Sequence, residues 1–273
     1  MVDKQISRTT LVAVIVATVA ALIVRSWLQL RLIRDGMDSA LAADVSYLVV
    51  PPILVMLLFP LWRSERAFLS RQFRRKDATL TLVLNAVAIG LLIRLCWWAQ
   101  IIAGVSLGIY QSDDPTAVVG PTFSFQCANP AIVALGFLVL AVLIPVIEEI
   151  LHRAYILTAL RRRGALVAIL VSALIFAVFH RQSSRAFAIF AGIVFGVQYW
   201  STKSLWVSII SHTTVNAMTL IDWRCLRSSW NPPIDEIPVV VPAVAALIVL
   251  AGSIVAIFLL LRRIATETNY SPR

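Results

Sequence analysis

Residues 131–150 read AIVALGFLVLAVLIPVIEEI, and no charged side chain occurs among them before Glu148 and Glu149. A helix needs about 20 mostly apolar residues to cross the hydrocarbon core of a bilayer. The stretch therefore reads as a membrane span that carries two adjacent carboxylates at one end. Seven further apolar runs lie around it, at 10–28, 41–62, 80–103, 165–180, 186–200, 205–221 and 238–261. Together they predict an all-α fold, a polytopic membrane helix bundle of about eight transmembrane helices.

Composition agrees. Of 273 residues, 60% are hydrophobic and 14% charged, against roughly half and a quarter in soluble domains. The mean hydropathy is +0.87. A disordered chain, a secreted disulfide scaffold and an ordinary soluble enzyme are excluded. The first run, with Lys4 and Arg8 before it, is like a signal peptide. Seven spans follow, so it is expected to remain as an anchor. Three regions are expected: 1–130 with helices one to three, 131–221 with helices four to seven, and 222–273 with a loop and helix eight.

The net charge is +10, from 24 Lys and Arg against 14 Asp and Glu. In a membrane chain this reflects basic loops facing anionic headgroups and setting topology. No basic run is interleaved with aromatics as in single-strand binders, and no nucleic-acid partner is expected. The stretch 63–77 holds Arg63, Arg66, Arg71, Arg74, Arg75 and Lys76, whereas 105–130 holds Asp113 and Asp114 and no Lys or Arg. Arg161 to Arg163 follow the fourth run, and Arg262 and Arg263 the eighth. These charges predict a multi-pass protein with both termini cytoplasmic; Arg31 and Arg34 point weakly the other way. Composition and compactness point to a bacterial inner membrane. All eight tryptophans are expected near span ends as interfacial anchors. Pro51, Pro52 and Pro60 predict a kinked second helix. Cys96, Cys127 and Cys225 have no metal-ligand spacing; Cys127 and Cys225, in predicted loops, are able to pair only in an oxidising compartment.

Ionisable groups inside hydrocarbon are costly, so each is a functional candidate. Glu149 and Arg153 are four apart and stack on one helical face. Glu148 points about 100° away and is free to face a cavity. The fifth run ends at Phe176 to His180; the seventh contains His212 and Asn216, again four apart. At about 1.5 Å per residue, all three positions reach similar depth if the fourth helix runs on to Arg161. His152 lies one turn from Glu148 and is expected to be an interfacial or packing residue. Phe176 reads as packing near the site. Asn85, Arg94 and Gln100 read as interhelical hydrogen-bonding or snorkelling groups, and Asp44 as interfacial.

The motifs Glu148-Glu149-x-x-x-Arg153, Phe176-x-x-x-His180 and His212-x-x-x-Asn216, in this order on successive spans, resemble the CPBP family of CAAX proteases and bacteriocin-processing proteins, also called ABI proteins. The resemblance covers 131–220, about a third of the chain. The family usually has Gly after the motif arginine; here it is Ala154. The resemblance implies a glutamate-type intramembrane endopeptidase acting on a membrane-associated protein or peptide. Glu148 would activate a water with help from His180, and His212 and Asn216 would stabilise the oxyanion. Glu149 and Arg153 would hold the site together. A carboxylate where water is scarce is a better base than one in bulk, and oxyanion donors act best there.

No cofactor is expected. Zinc held by Glu148, Glu149, His180 and His212 is an alternative, since these are its usual ligand types, although no His-Glu-x-x-His is present. A non-catalytic immunity or scaffold protein of the same family is a second alternative. A carrier is a third, weakened because no inverted repeat is visible. Substrate identity and oligomeric state are not encoded in any motif found.

Overall fold

The computed structural model describes residues 6–37, 39–73, 79–107, 109, 134–180, 184–220 and 243–270. Every regular element among them is helical. In chain order these are α1 (Arg8–Arg34), α2 (Ser39–Tyr47), α3 (Val50–Ser64), α4 (Arg66–Gln72), α5 (Leu80–Ser106), α6 (Ala134–Arg163), α7 (Ala165–Val178), α8 (Arg185–Thr202), α9 (Leu205–Leu220) and α10 (Ala243–Tyr270). The fold is a polytopic membrane helix bundle.

Five stretches are long and apolar enough to cross a bilayer: Thr9–Arg34, Val45–Ser64, Leu80–Gly104, Ala134–Arg163 and Ala243–Glu267. The remaining three of the eight expected spans are shorter. Helices α7, α8 and α9 have 14, 18 and 16 residues, or about 21 to 27 Å at 1.5 Å per residue, less than the roughly 30 Å core. Their buried polar residues, among them Gln198, Ser208, Ser211 and His212, face other helices. Membrane length is therefore not demanded of them as it is of a helix surrounded by lipid.

The expected kink in the second span is a break. The chain turns at Leu48 and Val49, and α3 restarts with Pro51 and Pro52 in its first turn. Pro51 and Pro52 have no N–H to bond the carbonyls of Tyr47 and Leu48, so the helix stops there, and both prolines fit the first turn of the next one, where N–H groups have no intrahelical partner. The fourth span does run on past Arg161, as the depth argument required. It ends at Gly164, whose φ of +91° only glycine adopts without strain, and the chain reverses into α7.

Two apolar clusters hold the bundle. One joins α1, α3 and α4 to α6 through Leu54, Leu58, Phe68, Ile150, Leu151 and Tyr155. The other joins α5, α8, α9 and α10 through Ile89, Ile93, Phe195, Val207 and Ile257. Small residues let backbones approach closely within the bundle. A Cβ on Gly90 of α5 would lie 2.6 Å from the Ser211 carbonyl oxygen of α9, and one on Gly192 of α8 would lie 3.1 Å from Ala173 Cα of α7. A buried chain of hydrogen bonds ties three helices: Gln198 Nε2 donates to Ser211 Oγ at 2.8 Å, and Ser211 Oγ donates to the Ala86 carbonyl at 2.7 Å.

Candidate active site

Helix α6 is wound irregularly where it carries the carboxylates. Phe137–Leu143 and Ile150–Leu157 are π-helical, and only Ile144–Glu149 between them is an ordinary α-turn. Such i→i+5 turns are rare and concentrate at functional sites. The adjacent acids part company here. Glu149 is fully buried, while the Glu148 side chain keeps 23% of its surface accessible.

Glu149 is approached by Arg153, His212 and Ser208. Arg153 Nε approaches its Oε2 at 3.2 Å, an ion pair whose geometry falls short of an aligned hydrogen bond. His212 Nδ1 lies 3.1 Å from its Oε1. Arg153 also donates from Nη2 to the Gly192 carbonyl at 3.1 Å, and its guanidinium lies 5.1 Å and 5.7 Å from the ring centroids of Phe176 and Phe195. The close approach of α8 at Gly192 thus provides both space and an acceptor for a wholly buried cation.

Two aromatic rings pack against His212. Phe195 stacks on it at 4.9 Å and 23°, and Phe176 meets it edge-on at 5.6 Å and 80°. With Nδ1–H directed at Glu149, Nε2 faces Glu148 Oε2 at 3.6 Å, beyond direct hydrogen-bond length. His180 Nδ1 lies 2.9 Å from the Phe176 carbonyl. A carbonyl only accepts, so Nδ1 carries the hydrogen and Nε2 of the neutral ring is an acceptor. Asn216 Nδ2 donates to the Leu140 carbonyl at 2.8 Å, which leaves its second N–H.

Glu148, His180, His212 and Asn216 line one cavity of about 140 Å³ between the end of α2 and helices α5, α6, α7, α8 and α9, enough for several waters. Of the six residues singled out in the sequence, these four share the cavity, and Glu149 and Arg153 lie behind its wall. A second, smaller cavity of about 30 Å³ touches Glu148 from the side of α1 and α3 and includes His152. His152 is buried, with its ring against Phe176 at 5.1 Å and Phe179 at 5.9 Å. It is a packing residue that does not line the larger cavity. Among the described residues, no group of three or more His, Cys, Asp or Glu is arranged as a metal cage.

Several expectations need correction. Trp97 does not anchor a helix end: it lines the cavity and packs against Phe187 at 4.7 Å, because α5 continues to Ser106. Arg94 does not snorkel; it is buried and lines the same cavity. Phe176 packs near the site as expected, touching His152, His180, His212 and Arg153. Phe195 and the Gly192 carbonyl were not foreseen; the Gly192-x-x-x-Gly196 spacing was the available signal. Cys127, Cys225, Trp223 and Trp230 lie outside the described residues, as does the side chain of Asp44; Cys96 is a buried free thiol.

Acids, imidazoles, an amide and a guanidinium gathered around one cavity inside a membrane bundle define the class, an integral membrane protein with an enzyme-like polar centre. Residues 130–218 match the family model described as Rce1-like, type II CAAX prenyl endopeptidase. The match spans about a third of the chain and contains all six motif residues. It bears out the resemblance to the CAAX-protease family and, at the level of class, supports a membrane protease. No curated protein and no solved structure matches the chain.

Proposed function

We infer that the protein is an intramembrane endopeptidase that hydrolyses a peptide bond of a membrane-associated substrate near its C-terminus, in protein maturation or sorting. The observation that carries this reading is the shared cavity of Glu148, His180, His212 and Asn216, assembled from α6, α7 and α9. Glu148 takes a proton from water as the oxygen bonds to the substrate carbonyl carbon. His180 assists through Nε2. The negative charge that forms on the carbonyl oxygen is met by Asn216 N–H and His212 Nε2–H. The C–N bond then breaks, and the proton held on Glu148 passes to the leaving amine.

His212 is able to donate from Nε2 only when both ring nitrogens are protonated, because Nδ1–H already faces Glu149. Arg153 and an imidazolium then balance the two carboxylates. This gives Glu149 and Arg153 their roles: Glu149 orients the histidine and stabilises its imidazolium, as the buried acid does in hydrolytic triads, and Arg153 holds Glu149 in place. The loop charges support a topology with both termini cytoplasmic; the bacterial inner membrane is proposed from the chain's composition and compactness.

The test is cleavage of a candidate membrane substrate in liposomes by wild type and Glu148→Ala. Loss of a general base costs 10²- to 10⁴-fold, so a drop of about a thousandfold is expected; full activity in the variant removes Glu148 from the role. The proposed chemistry uses no metal, so a strong chelator is expected to leave the rate within twofold. A tenfold fall reversed by added zinc would replace this mechanism with the zinc alternative.

A further inference from the structure

Helix α5 brings a cation to the same cavity from outside the 130–218 segment. Arg94 is only 4% exposed and lines the cavity that holds Glu148. Its Nε has no hydrogen-bond partner, and no carboxylate among the described residues forms an ion pair with it. The contact it does make is with the Trp98 ring, 5.1 Å from the guanidinium carbon. The other buried arginine of the site, Arg153, has Glu149.

Depth makes the difference consequential. Arg94 stands 14 residues after Leu80 and 12 before Ser106 in α5, about 20 Å from either end. A guanidinium stays charged in proteins, and an uncompensated cation at mid-membrane is costly. The geometry points to a ligand that completes it: we propose that Arg94 seats a carboxylate of the substrate and so places the scissile bond at Glu148. The planar fork of a guanidinium matches a carboxylate bidentately. A lipid phosphate lies at the surface, about 20 Å from this position. The proposal rests on the protease reading, because a peptide must enter the cavity. The carboxylate is either the free C-terminus or an Asp or Glu side chain.

Binding, measured without catalysis, tests it. The probes are random tetrapeptides of Ala, Val, Leu and Phe with a free C-terminal carboxylate, the same set as C-terminal amides, and amides ending in Asp. Retention on immobilised, detergent-solubilised full-length protein is counted by mass spectrometry. Wild type is expected to retain a carboxylate set about tenfold more than the amides. Preference for the free acids identifies a C-terminal carboxylate, and preference for the Asp amides identifies an internal one. Arg94→Gln is expected to abolish the preference and Arg94→Lys to keep part of it, with size-exclusion profiles confirming folded protein. Equal retention of all sets by wild type, including none of any, overturns the proposal, as does a full preference in Arg94→Gln. If Arg94→Gln does not fold, the wild-type comparison and Arg94→Lys still decide. A Glu148→Ala protein that still cleaves would sink the assigned base and leave this binding preference intact, so the two failures are separable.

Discussion

Helices α6 and α10 are both long and apolar, yet they do opposite work. In the most apolar window of α6, 56% of residues are buried inside the protein; in that of α10 the share is 17%. Helix α10 turns Ile248, Val255, Phe258 and Leu259 outward and supports α5. Helix α6 encloses Glu149, His152 and Arg153 completely or nearly so. Hydropathy alone does not separate an anchor from the helix that carries the chemistry. The separating feature is whether a polar group on the helix has been given partners away from lipid.

The comparison is broken most severely at Arg153. Arg153→Met would strip the buried Glu149 carboxylate of its ion-pair partner, a loss of about 3–5 kcal/mol. Thermal unfolding in detergent measures it, and the double variant Glu149→Gln/Arg153→Met is expected to recover most of the loss. A single-variant cost below about 1 kcal/mol would mean that the pair is not held as described. Next comes Gly90→Ala on α5, where the new Cβ meets the Ser211 carbonyl and Thr214. Overpacking of this kind costs about 1–3 kcal/mol, visible as a lowered Tm. The smallest effect belongs to α10: Leu259→Ala, 56% exposed in wild type, should change stability by less than about 0.5 kcal/mol and leave cleavage unchanged. An effect as large as that of Gly90→Ala would show that α10 faces protein.

The same contrast explains what was readable in advance. The apolar runs were legible because crossing hydrocarbon demands length, and Glu148, Glu149, Arg153, His180, His212 and Asn216 because ionisable and amide groups there demand a reason. The lengths of α7, α8 and α9 were less legible, since an apolar helix shielded by neighbours reads like one that spans. Phe195 sits in a run of apolar residues, where a ring that stacks on a histidine is indistinguishable from one that meets lipid. Arg94 lies in a helix apolar nearly all round, so periodicity did not show which face looked inward. The break before Pro51 was anticipated as a kink because proline marks a disturbance and leaves its size to the surroundings.

The two wide turns of α6 carry a consequence for how the carboxylates are aimed. Each has the hydrogen-bond register of a helix with a residue inserted, so the segments on either side of Ile144–Glu149 are phased independently of it. The rest of α6 can therefore keep its apolar contacts with α1 and α7 while the dipeptide is rotated to suit the cavity. Shortening either turn by one residue would preserve a continuous helix and redirect both acids together.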